Sequence, residues 1–239
     1  MTGRGSGKLI RADSNPSVTI GLSLSTSPSA LSVSSEEPFY VVITARILSS
    51  PQPERPITLW THLSPLDGLS TRAFENIKRT TNEDKRIEIF PHGWPQYHWD
   101  HEDIPRHGSF VTVPPRNQGS VSVNHRVPPD AIRDANVAKG ERYRVQMTDL
   151  CLGTKWWTFG AREDLDGMRL RMWQPQALEE AEMAEETTLD VDLRAELEQE
   201  RRAKYGDRPT IKGENPVMLA MVPEVAMAEF EVISLQVGG

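Results

Sequence analysis

Ala138 to Gly160 reads AKGERYRVQMTDLCLGTKWWTFG, and its first half decides the fold class. From Glu141 to Thr148 the side chains alternate, with Tyr143, Val145 and Met147 on one face and Arg142, Arg144 and Gln146 on the other. A period of two marks a strand with one face in a core and the other in water. Lys139-Gly140 supplies a turn before this strand, and Trp156, Trp157 and Phe159 follow it closely. Alternation there predicts one buried and one exposed tryptophan, the exposed one open to a ligand or partner.

The chain on either side reads the same way. Val18 to Leu24 alternates Val18, Ile20, Leu22 and Leu24 against small or polar residues, and Phe39 to Leu48 is the longest β run, apolar on both faces over Phe39 to Ile43. Ile57 to Leu63 resumes after a Pro-rich break, and Phe74 to Ile77 and Arg86 to Phe90 are shorter candidates. Ser109 to Val113 and Ser120 to Val127 predict a hairpin across Pro114 to Gly119. Pro128-Pro129-Asp130 opens a helical turn over Ala131 to Ala135, and Arg162 to Asp166 predicts another. Met168, Leu170 and Met172 alternate, and Asn215 to Val222 and Ala226 to Leu235 supply the final strands, with Ala228, Phe230 and Val232 on one face. About ten short strands with no regular strand-helix alternation predict an all-β antiparallel sandwich.

The charge is not spread evenly. Gln176 to Tyr205 holds ten acids and four bases, a balance of −6 in a chain of net charge −7, so the remainder is close to neutral. Leu189, Leu193 and Leu197 recur every four residues, acids load the start and bases the end, and Gly206 follows. That pattern predicts an acidic helical insertion over 176–207, set within a single sandwich domain of residues 16–175 and 208–236. Residues 1–15, dominated by Gly, Ser and charge, predict a disordered tail. Its Gly-rich start is no phosphate loop, because Leu9 follows Lys8 and no strand leads in.

This charge balance argues against nucleic-acid binding, and no apolar run reaches the length of a membrane span. One cysteine, Cys151, rules out an internal disulfide and fits a reducing compartment, so the expectation is an intracellular, cytoplasmic chain. Cys151, between Leu150 and Leu152, reads as a small buried hydrophobe.

Two constellations carry chemistry. The loop from His92 to His107 gathers His92, His98, His101 and His107 beside Asp100, Glu102 and Asp103, donor types that suit a divalent transition metal, although no HExxH-type motif orders them. The second is cationic: Arg142 and Arg144 share one strand face and Arg169 and Arg171 another, a basic stripe on which an acidic partner, or the acidic insertion itself, could dock. No nucleophile elbow occurs.

Gly140-Glu141-Arg142-Tyr143-Arg144-Val145 is similar to the late-strand pattern of immunoglobulin-like and fibronectin type III domains. The resemblance implies a sandwich in which a tyrosine hydroxyl bonds back to the backbone at a corner, with Trp60 nearest to the core tryptophan. More loosely, the TDLCLGTKWW segment resembles intracellular proteins of filamentous fungi, which implies no activity. The expectation is a non-catalytic protein-interaction module without a cofactor, the alternative being a metal-binding protein or metal-dependent enzyme built on the His92–His107 loop.

Overall fold

The structure is a computed structural model. It describes residues 16–33, 37–61, 64–67, 74–89, 110–149, 152–154, 156–165, 168–170, 199, 203, 210–211, 213–214 and 218–233. The 1–15 tail and, apart from Gln199 and Ala203, the 176–207 insertion lie outside these residues.

Two larger sheets face one another across the core. The first has four strands in the order β13-β1-β3-β8: β1 (Val18–Ser27), β3 (Tyr40–Ser49), β8 (Val121–Arg126) and β13 (Leu219–Val225). The second has five in the order β2-β14-β9-β5-β6: β2 (Ala30–Ser32), β5 (Ile77–Arg79), β6 (Asn82–Ile87), β9 (Arg142–Gln146) and β14 (Met227–Ile233). Alternation does the sorting. Val18, Ile20, Leu22 and Leu24 of β1 and Val41, Ile43, Ala45 and Ile47 of β3 are buried, and they share one cluster with Tyr143, Val145, Phe230 and Val232 of the second sheet. The predicted apolar faces are therefore the core faces, and the fold is all-β.

A third sheet, β10-β4-β7, is made from β4 (Ile57–Trp60), β7 (Phe110–Val113) and β10 (Trp157–Phe159). All four residues of β4 are buried, so this strand is covered on both faces. The short pair β11 (Arg169–Leu170) and β12 (Thr210–Ile211), the helix α1 (Pro129–Asp134) and a 3-10 turn at Arg162–Leu165, where a helical turn was expected, complete the described elements.

Two expectations are corrected. The sheets are mixed rather than purely antiparallel: β1 with β13, β14 with β2, and β11 with β12 all run parallel. Parallel neighbours need long connections rather than tight turns, and β1 and β13 lie at opposite ends of the described chain, where no hairpin dictates direction. The second correction is that β7 and β8 do not form a hairpin. β7 pairs with β4 and β8 with β3. Pro114 and Pro115 have no N–H to extend a ladder, and the connection is tied elsewhere, with Arg116 N–H donating to the Pro53 carbonyl at 3.0 Å. The chain thus crosses between sheets at this point. A hairpin does occur where none was expected, at β5-β6 across Thr80-Thr81.

Within β4, Thr58 is fully buried and its hydroxyl lies 2.8 Å from the Gly160 carbonyl oxygen and 2.9 Å from Thr112 Oγ1. Thr58→Val keeps the shape but leaves those groups without their partner. We expect a loss of about 1–2 kcal/mol in urea unfolding with an unchanged m-value; no loss would show that the Gly160 carbonyl and the Thr112 hydroxyl find other partners.

Candidate functional site

β9 positions the predicted arginines as its alternation requires. Arg142 and Arg144 project from the outer face while Tyr143 and Val145 are buried beneath them. Cross-strand neighbours then fix the charge pattern. Glu231 lies opposite Arg142 and Glu229 opposite Arg144 on β14, and Lys78 of β5 lies beyond Arg144 with Arg86 of β6 next in the row. Each base has an acid: Arg142 Nε is 3.8 Å from Glu231 Oε2, Arg144 pairs with Glu83, Lys78 Nζ is 2.5 Å from Glu75, and Arg86 Nη2 is 3.0 Å from Glu88. This face is a ladder of alternating charge rather than an unopposed basic stripe. Of the other pair, Arg169 lies in β11 with no described side chain, and Arg171 lies outside the described residues.

The residue between the turn and the arginines carries more structural weight than either of them. The Glu141 carboxylate accepts hydrogen bonds from Lys85 Nζ at 2.8 and 2.9 Å, from the Ala138 N–H at 2.9 Å and from the Tyr143 hydroxyl at 2.8 Å. Arg79 Nη1 stands 3.3 Å away. Burial pushes this carboxyl up, but the bonds from Lys85, Ala138 and Tyr143, with the Lys85 charge, outweigh it and hold the pKa at about 2. Burial, then the bond to Glu141, raises the Tyr143 hydroxyl well above its ordinary range. The hydroxyl of the corner tyrosine therefore bonds to a carboxylate, where the immunoglobulin-like pattern implied backbone.

Both tryptophans are buried, Trp156 at 3% and Trp157 at 2% exposure, so the expectation of one exposed ring is corrected. They enter different clusters. Trp157 joins the main core, and Trp156 packs with Trp60, Phe110 and Leu165 beside the third sheet. Layers on both sides of this short segment leave no solvent face for alternation to supply. Neither ring is free to act as a stacking platform.

His92, His98, His101 and His107 lie outside the described residues, as does Cys151. Among the described residues no group of three or more His, Cys, Asp or Glu could hold a metal ion. The one described histidine is His125 of β8, 3% exposed, with Nε2 3.2 Å from the Pro65 carbonyl oxygen and Nδ1 buried without a hydrogen-bond partner. Its ring meets Phe74 edge-on with centroids 5.0 Å apart. Burial lowers its pKa to about 4 against the weaker opposing effects of Pro65 and Asp67, so the ring is neutral at pH 7.

The feature that the sequence reading missed is the strand on which His125 sits. Among the described strands β8 is the last of its sheet, paired with β3 on one side only. The Val127 N–H donates to the Phe39 carbonyl at 2.9 Å, which sets the phase of the ladder. His125 and Val123 therefore point their backbone groups at β3, and Ser122, Asn124 and Arg126 point theirs outward. Thr44 and Ser122 form a non-hydrogen-bonded pair, consistent with their hydroxyls meeting at 2.8 Å. Ser122, Asn124 and Arg126 are all exposed. A sequence signal existed: from Ile104 to Pro129 there is no Asp or Glu, in a chain where they number 34 of 239 residues.

No protein-family model matches the chain, and neither curated proteins nor solved structures give a match. No helix among the described residues is long and apolar enough to cross a membrane.

Two pH-dependent losses of stability follow. His125 has a folded pKa near 4, below its ordinary 6.5, so its contribution is complete above pH 6.5 and falls away between 6.5 and 4, by about 3 kcal/mol at most. Glu141 has a folded pKa near 2, below its ordinary 4.5, so its contribution is complete above 4.5 and is lost as the pH falls towards 2. Urea midpoints from pH 8 to 3 should show both declines, with His125→Gln flattening the upper one. Glu141→Gln should cost about 2 kcal/mol at pH 7 and flatten the lower one. A profile flat from 7 to 4 would show that His125 is solvated rather than buried.

Proposed function

We propose that this protein is a non-catalytic interaction module that receives an extended segment of a partner as an added strand on β8. The observation that supports this reading is the row of outward backbone groups at Ser122, Asn124 and Arg126, on a six-residue strand with no neighbour on that side among the described residues. Unpaired ladder groups are a ready template for another chain, and folds that do not use an edge blunt it.

The other ends of the two larger sheets are blunted. β6 carries Glu83, Asp84, Lys85 and Arg86, β2 is three residues long, and β13 contains Pro223. β8 has none of these protections: its sequence is VSVNHR, with one charge and no proline. The paired arginines of β9 support a partner surface less well, because every base there already has an acid and exposed pairs contribute little.

The test uses peptides selected from a random display library against the full chain. Asn124→Pro removes the central outward N–H without touching a bond to β3, a substitution that edge strands tolerate. Expected are peptides whose binding slows amide exchange at Ser122, Asn124 and Arg126 and is lost in Asn124→Pro, with the unfolding midpoint close to that of the natural chain. Selected peptides that bind Asn124→Pro equally well would remove β8 as the site.

A further inference from the structure

We propose that the segment received by β8 is an extended peptide rich in carboxylates, an inference that rests on the strand-addition reading above. The composition around the edge carries it. β1, β3 and β8 contain no Asp or Glu, although acids make up 34 of the 239 residues. The bases on these three strands are Arg46 and Arg126. Arg46 is already held by Glu224 of β13, through Nε to Oε2 at 2.8 Å and Nη2 to Oε1 at 2.5 Å. Arg126 is exposed, and no ion pair joins it to any described residue. The nearest carboxylate in sequence, Asp130, lies beyond the end of β8 and pairs with Arg133 at 3.0 Å.

Arg126 is also one of the three residues whose backbone groups face the open side. A residue paired with it across a new ladder has its Cβ about 5 Å away, close enough for opposite charges to attract and like charges to repel. Asn124 sits on the same outer face and adds an amide donor that suits carboxylate oxygens. A second copy of the chain fits less well. It would set one Arg126-bearing, acid-free edge against another, which offers Arg126 no carboxylate. An acidic strand answers the local charge.

The experiment uses the full chain and three blocked synthetic octapeptides that alternate Val with Glu, Val with Thr or Val with Lys, each shown to be monomeric by sedimentation. Binding is read by fluorescence anisotropy at low and physiological salt. The Val/Glu peptide should bind at least about threefold tighter than Val/Thr and tighter still than Val/Lys, with the margin narrowing at the higher salt. Arg126→Glu should reverse the order. Asn124→Pro should abolish binding of all three.

Equal affinity for the three peptides, lost in Asn124→Pro, would overturn the acidic assignment and leave the strand-addition reading standing. Binding that survives Asn124→Pro would overturn both. A concentration-dependent dimer that Asn124→Pro dissolves, with no peptide bound, would identify a second copy as the occupant, again against the acidic assignment. No dimer and no peptide bound would also overturn it.

Discussion

The register of β9 between β14 and β5 is the constraint from which the rest of the second sheet follows. It places Tyr143, Val145 and Met147 in the core and Glu141 at the corner, where one carboxylate gathers Lys85 of β6, Arg79 of β5, the Ala138 N–H and the Tyr143 hydroxyl. Slipping the strand by one residue would turn the buried tyrosine out and drive Arg142 and Arg144 inward. It would also separate Glu141 from four donors that have no other carboxylate in this cluster. Register here is thus held twice, by apolar burial and by one polar hub. Gly140 makes the hub possible: its φ of +82° suits a residue without a side chain, and its N–H donates to the Val232 carbonyl at 2.8 Å, joining the turn to β14.

Where burial is one-sided, the sequence is a good guide. β1, β3 and β9 alternate over five or more residues, and each buries the face its apolar residues define. Legibility fails where side chains do not report the environment. β6 reads NEDKRI, nearly all charged, because it is an edge whose side chains face water or the Glu141 hub, and its turn at Thr80-Thr81 lacks the Asn-Gly or Gly signal of a tight hairpin. Trp156 and Trp157 defeat alternation for the opposite reason, since both sides of that segment are dry. The β7-β8 hairpin fails on topology: adjacency in sequence suggests pairing, whereas the Arg116 to Pro53 bond and two prolines send the strands to different sheets.

The candidate site was half legible. Arg142 and Arg144 do share an exposed face, but sequence spacing cannot show that Glu231 and Glu83 reach the same surface from other strands. Conversely, the β8 edge has no motif. An open edge is defined by which strand is not beside it, a property of the whole sheet order rather than of any local pattern. Only the missing carboxylates from Ile104 to Pro129 leave a trace in the sequence, and that trace gains meaning once β8 stands at the end of its sheet among the described strands.

A strand that is to receive another must be firm on every side but one. β8 meets that condition. Its ladder to β3 runs from Val121 opposite Ala45 to Arg126 opposite Tyr40 and is continued by the Val127 bond to Phe39. The Thr44 and Ser122 hydroxyls fasten its outer face, and on the inner face His125 reaches the Pro65 carbonyl and packs on Phe74. Val127, just past the strand, is buried in the main core. Backbone fixed in this way has already lost the freedom that an arriving peptide would otherwise have to remove, so the ordering cost of association falls mainly on the partner. An unneeded edge held this rigidly would be a hazard, since rigidity makes it a better template for pairing with any chain. The buried His125 ring holds the inner face of β8 while Ser122, Asn124 and Arg126 stand on the outer one, an arrangement that the proposed addition of a charged strand would use.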